Sequence, residues 1–110
     1  MASYECIVQE GSARSKLQAE LRRELTDIEK TVRGGSGSDT TVDFVVVPRG
    51  SAFTAGEPSA TSIVNVELPH GCPYEIRHRV MTQVCARWYR TTDCSAHELV
   101  VFTTEAAMHR

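Results

Sequence analysis

Apolar positions along this chain recur first at every second residue, then near every fourth, then at every second again, and the whole cycle is repeated. Tyr4, Cys6 and Val8 alternate with Glu5, Ile7 and Gln9, the period of a strand that starts almost at the first residue. Gly11 and Ser12 turn the chain, and Ser12 or Ser15 can cap a helix. Leu17, Leu21, Leu25, Ile28 and Val32 then follow at helical spacing until Gly34 and Gly35 end the run. Glu20, Arg22, Arg23, Glu24 and Lys30 cover the other side of that helix. After a polar link from Ser36 to Asp39, the β-branched run from Thr41 to Val47 predicts a strand closed by Pro48.

The second cycle is sharper. Ile63, Val64, Val66 and Leu68, with Asn65 and Glu67 interleaved, predict a strand that breaks at His70-Gly71-Cys72-Pro73. Pro73 suits the first helical position, where its missing N–H costs nothing. Ile76, Val80, Val84 and Trp88 stand four apart, widened by Met81 and Cys85, and Leu99 to Phe102 is apolar on both faces. A parallel return strand needs such a crossover. Between the cycles lies a connector over 49–60, predicted to carry a small hairpin or an ordered functional loop.

The pattern predicts an α+β fold: two tandem βαβ units, 1–48 and 61–105, giving a four-stranded mixed sheet with two helices on one face. Each helix has one apolar stripe, whereas the strands are apolar on both sides. The uncovered sheet face is therefore expected to pack against further copies of the chain.

At 110 residues the chain is expected to be one domain, and 41% hydrophobic with 24% charged residues is ordinary for a globular protein. A net charge of −2 gives no case for nucleic acid. No apolar run approaches the about 20 residues of a membrane span, and no basic-then-apolar leader opens the sequence, so no membrane association and a cytoplasmic location are expected. Cys6, Cys72, Cys85 and Cys94 form no CxxC pair and are expected to be reduced thiols. No cofactor is expected, and His70 with Cys72 lacks the further ligands that a structural zinc requires.

Three stretches make the chain resemble the tautomerase superfamily, and within it the fused cis-3-chloroacrylic acid dehalogenase-like subgroup. They are the strand beginning at Ala2, Leu25-Thr26-Asp27 late in the first helix, and Val42-Asp43-Phe44 running into Pro48-Arg49-Gly50-Ser51-Ala52-Phe53-Thr54-Ala55-Gly56. The resemblance implies a tautomerase-like fold and a homotrimer. It also implies acid-base isomerisation or hydration of a small carbonyl or carboxylate metabolite, centred on an amino-terminal proline exposed by methionine removal. In this chain Ala2 stands there. Glu29 falls where the subgroup has a water-activating histidine, Pro69 and Cys72 fall on its two carboxylate-holding arginines, and Phe102 takes the place of a tyrosine in the last strand.

Candidate catalytic residues are therefore Ala2, Glu29, His70 and Cys72, with Arg14 and Phe102 as candidate substrate contacts. An Ala2 amine, once exposed, would titrate near roughly 7.7–8.0 if unperturbed, suited to proton transfer. Cys72 precedes a helix start, whose partial positive charge favours the nucleophilic form of a thiol, and His70 is close enough in sequence to act as its base. Arg14 offers a carboxylate contact two residues beyond Ser12, near the arginine position that follows the first strand in related tautomerases. The alternatives are a turn and strand end without chemistry, a non-catalytic trimeric member of the same fold, or a ferredoxin-like dimeric module unrelated to the family.

Overall fold

The computed structural model describes residues 2–11, 16–34, 40–48, 50–51, 53–54, 56–58, 60–93 and 98–106. Its elements are β1 (Ser3–Gln9), α1 (Gln18–Arg33), β2 (Thr41–Val47), β3 (Phe53–Thr54), β4 (Glu57–Pro58), β5 (Ser62–Leu68), α2 (Tyr74–Thr92) and β6 (Leu99–Glu105). The four long strands form one sheet in the order β2-β1-β5-β6, while β3 and β4 pair as a hairpin within the connector. Each βαβ half contributes a parallel pair, and β1 against β5 is the antiparallel seam between them. This is the mixed sheet that the hydrophobic periods predict. Ser12, Ser15, the link Ser36 to Asp39, and Cys94 lie outside the described residues.

The seam sets which side chains share a face. Tyr4 pairs with Val66 and Cys6 with Val64, and with Val8, Val42, Leu68 and Leu99 these residues are buried. They belong to the same cluster as Leu21, Leu25 and Ile28 of α1 and Val80, Val84 and Trp88 of α2. A single cluster that takes buried residues from both helices and from one alternate set of strand positions places both helices on the same face.

Helix ends follow their local chemistry with one shift. Gly34 closes α1 in the left-handed region (φ 72°), its N–H reaching the Glu29 carbonyl. Pro73 is not the first helical residue but the extended residue before it, and its carbonyl accepts from the N–H groups of Ile76 and Arg77, both at 3.1 Å. At the other end Asp93 takes φ 55° and donates to the Tyr89 carbonyl. Arg87 is no solvated surface cation. Its side chain is 12% exposed, and it bridges the helices, with Nη1 2.7 Å from Asp27 Oδ2 and 3.4 Å from Glu24 Oε1. That hydrogen bond holds the Asp27 carboxyl below its ordinary value.

The opposite sheet face is open. Val45, Ile7, Ile63 and Val100 stand side by side across all four strands, and Val100 is 50% exposed. The row two residues along holds Asp43, Glu5 and Asn65, with the apolar Phe102 at its end. No helix of the described residues is long and apolar enough to cross a membrane.

Burial pushes the Cys6 thiol up from 9.0 to about 12, against the opposing charge of Arg22, with Asp43 and Glu5 adding to the rise. A folded-state value raised in this way contributes stability that is complete below 9.0 and declines as pH climbs toward about 12. The stability of the protein relative to Cys6→Ala is therefore expected to fall by roughly 2 kcal/mol between pH 9 and about 10.5. Urea titrations at a series of alkaline pH values check this, and a pH-independent difference contradicts it.

Candidate functional site

The antiparallel register that pairs Ser3 with Glu67 brings the start of β1 to the end of β5, where the chain turns into α2. Ala2 there is 1% exposed, and its carbonyl accepts from the Thr41 N–H at 3.1 Å, extending the ladder to β2. The turn is closed by a hydrogen bond from the Cys72 N–H to the Pro69 carbonyl at 3.2 Å. Gly71 supplies the positive φ of 80° that this turn needs in its third position.

Two cavities flank the turn. One, of about 260 Å³, is lined by Ala2, Ser3, Glu67, Leu68, Pro69, His70 and Ala106. The other, of about 330 Å³, is lined by Pro69, His70, Gly71, Cys72, Pro73, Ile76 and Val32. Pro69 and His70 are walls of both. Ala2, far in the chain from His70 and Cys72, thus lies beside the turn that carries them, lining the one cavity while Cys72 lines the other.

The contact that the structure gives the His70 side chain is with Glu105. His70 Nδ1 lies 3.2 Å from Glu105 Oε2 at the end of β6, so the imidazole is held toward the strand end. Glu29 is placed differently again. It is 5% exposed, not a surface residue, and the Tyr4 hydroxyl donates to its Oε2 at 3.2 Å. Tyr4 sits two residues from Ala2 on the same sheet face, which brings the carboxylate to the same end of the sheet. Neither Glu29 nor Phe102 lines the two cavities. Phe102 lies on the open sheet face, 43% exposed and beside Asn65. Arg14 lies outside the described residues.

Two residues that the sequence did not single out take part. Tyr4 orients the Glu29 carboxylate, and Glu105 orients His70. A signal for the first pair existed: Glu29 continues the Leu21, Leu25 series at the same four-residue step, and a buried tyrosine requires a partner for its hydroxyl. Among the described residues the two other thiols, Cys6 and Cys85, are unsuited to chemistry near neutrality, since burial raises both. Among the described residues, no group of three or more His, Cys, Asp or Glu is placed to hold a metal ion.

No family model matches this chain, and no curated protein matches it. Solved structures do. The native crystal structure of Ps01740 superposes with a TM-score of 0.88 at 26% identity, covering 97% of this chain and 99% of that one. N1, a member of the cis-3-chloroacrylic acid dehalogenase family, gives 0.86 at 15% identity over 94% of this chain and 74% of that one. A wild-type fused 4-OT symmetric trimer gives 0.82 at 15% identity over 94% and 85%. The chain thus has the fold of tautomerase-superfamily structures, the cis-3-chloroacrylic acid dehalogenase family and fused 4-OT among them.

Removing the Tyr4 hydroxyl deprives a buried acceptor of a donor, a change that typically costs about 1–3 kcal/mol. Tyr4→Phe is expected to destabilise the protein by that amount and Glu29→Gln, which keeps an acceptor for the hydroxyl, by less. Chemical denaturation of the two variants ranks them, and equal losses contradict the stated pairing.

Proposed function

We infer that this protein is a divergent tautomerase-fold member that binds a small carbonyl- or carboxylate-bearing metabolite at the end of the sheet where Ala2 meets the Pro69 to Cys72 turn, and that it carries out an acid-base isomerisation or hydration there. The observation that carries the reading is the shared wall: two cavities, of about 260 and 330 Å³, open on either side of Pro69 and His70 and join the first strand to the Cys72 turn. Ala2, once exposed as an amine, and Cys72 are the nucleophilic groups. Glu29 and His70 are the proton carriers, Glu29 set by Tyr4 and His70 by Glu105. Arg14 and Phe102 remain candidate substrate contacts, Phe102 by way of a neighbouring subunit because it faces the open sheet side.

The two βαβ units act as one domain in this reading. The open sheet face is closed by further copies of the chain, three in all, as in the fused 4-OT trimer. The free thiols Cys6, Cys72 and Cys85 suit a reducing cytoplasm, and neither nucleic acid nor membrane is a partner. A second reading, a non-catalytic subunit that keeps the assembly, is favoured by the almost complete burial of Ala2 and by Pro69 and Cys72 standing where the resemblance expects arginines.

The two readings separate in deuterated buffer. The first expects the protein to catalyse exchange of the C3 protons of small 2-oxo acids, with Cys72→Ala, Glu29→Gln and amino-terminal acetylation each slowing it or weakening binding. No exchange above buffer, with all three samples indistinguishable from the unmodified protein, supports the second. Turnover of phenylenolpyruvate or a cis-3-haloacrylate is expected to be negligible, because losing one preorganised charge-stabilising donor costs roughly 10²–10³ in rate and several are replaced here. Robust turnover of either contradicts that substitution argument.

Light scattering is expected to give three times the chain mass at micromolar concentration. A stable monomer contradicts the closed-face argument, whatever the outcome of the exchange assay.

A further inference from the structure

The groove between the end of α1 and the first half of α2 holds a third cavity of about 300 Å³, lined by Thr31, Val32, His78, Arg79, Thr82 and Gln83. Val32 also lines the cavity over Cys72. The two spaces therefore share a wall residue. We propose that this groove is an anion subsite, taking a phosphate or carboxylate group, and that it extends the small-molecule site, so that the preferred ligand is a metabolite with an anionic group at each end. The second half of this proposal rests on the reading of the Ala2 to Cys72 end as the ligand site; the first half does not.

The hydrogen-bond inventory of the lining decides what kind of group fits. The Thr82 hydroxyl donates to the His78 carbonyl at 2.8 Å and the Thr31 hydroxyl to Asp27 at 3.3 Å, so both protons are committed within their own helices. The carbonyl oxygen of Gln83 is engaged by Arg87 Nε at 3.3 Å, which leaves its NH₂ as the uncommitted end. What remains to face a ligand is the Gln83 amide, the His78 imidazole and the Arg79 guanidinium, a set rich in donors.

Arg79 is the distinguishing residue. On the same helix Arg87 pairs with Glu24 and Asp27, Arg90 pairs with Glu24, and Arg77 lies over the Tyr74 ring at 5.7 Å. Arg79 makes no ion pair or ring contact with a described residue. A guanidinium with no ion pair to a described residue, able to bind an oxyanion in bidentate fashion, thus stands among the lining residues of this groove. The groove lies between the two helices, on the face away from the open side of the sheet, so an oligomer formed through that open side would leave it accessible to solvent.

Amide NMR of the full chain, titrated first with inorganic phosphate, tests the subsite. Saturable shifts centred on His78, Arg79 and Gln83 are expected, with affinity reduced at least tenfold in Arg79→Ala and little changed in the control Arg23→Ala. Shifts that do not saturate, or that survive Arg79→Ala, overturn the subsite.

A parallel titration compares 2-oxobutyrate with 2-oxoglutarate. Arg79→Ala is expected to weaken the dicarboxylate about tenfold and the monocarboxylate less than twofold, with both ligands shifting Ala2, His70 and Cys72. Equal losses overturn the extension. If phosphate saturates the Arg79 groove while neither 2-oxo acid shifts the Ala2 end, the subsite stands and the ligand-site reading fails.

Discussion

The antiparallel pairing of β1 with β5 is the constraint on which the rest of the molecule depends. It joins two βαβ halves that are each parallel within themselves, and its register places Tyr4 opposite Val66 and Cys6 opposite Val64. A slip of one residue would send Tyr4, Cys6 and Val8 to the open face and bring Glu5, Ile7 and Gln9 beneath the helices. The same register delivers Ala2 to the end of β5 and the turn that follows it. Folding of the core therefore also assembles the candidate site, because the strand in the centre of the inner face begins beside Ala2.

The two faces of the sheet have divided their roles. The inner face is covered by α1 and α2, locked to each other through Arg87 and to β2 through Arg22, which donates to the Val42 carbonyl and lies 5.5 Å from the Phe44 ring. The outer face keeps an apolar band of Val45, Ile7, Ile63 and Val100 next to a stretch carrying Glu5, Asp43 and Glu67. Among the described residues of that face there is no Lys, Arg or His. Such an apolar band would give copies a hydrophobic reason to associate, and the carboxylates would make that association sensitive to salt and to orientation.

Most of the fold was legible because strand and helix periods are written into the apolar positions, from Tyr4-Cys6-Val8 to Val80-Val84-Trp88. The site was less so. Glu29 sits between Asp27 and Lys30 in a charged stretch, and only the tertiary packing shows that its side chain follows Leu25 inward to Tyr4 rather than Lys30 outward. His70 and Cys72 are two residues apart, yet Glu105, distant in sequence, is what holds the imidazole, because β6 ends beside the turn. Nothing within α2 alone sets Arg87 apart from Arg77, Arg79 and Arg90 until α1 is packed against it. In each case the missing information was a contact between elements, which periodicity within one element does not encode.

The central claim, that the meeting of Ala2 with the Pro69 to Cys72 turn is where a small metabolite binds, is tested most directly by a crystal structure of the protein grown with a saturating small 2-oxo acid. The account predicts the ligand against Pro69 and His70, within the space walled by Ala2 on one side and Cys72 on the other. A fully occupied ligand elsewhere, with those two cavities filled by the protein's own side chains, would contradict it.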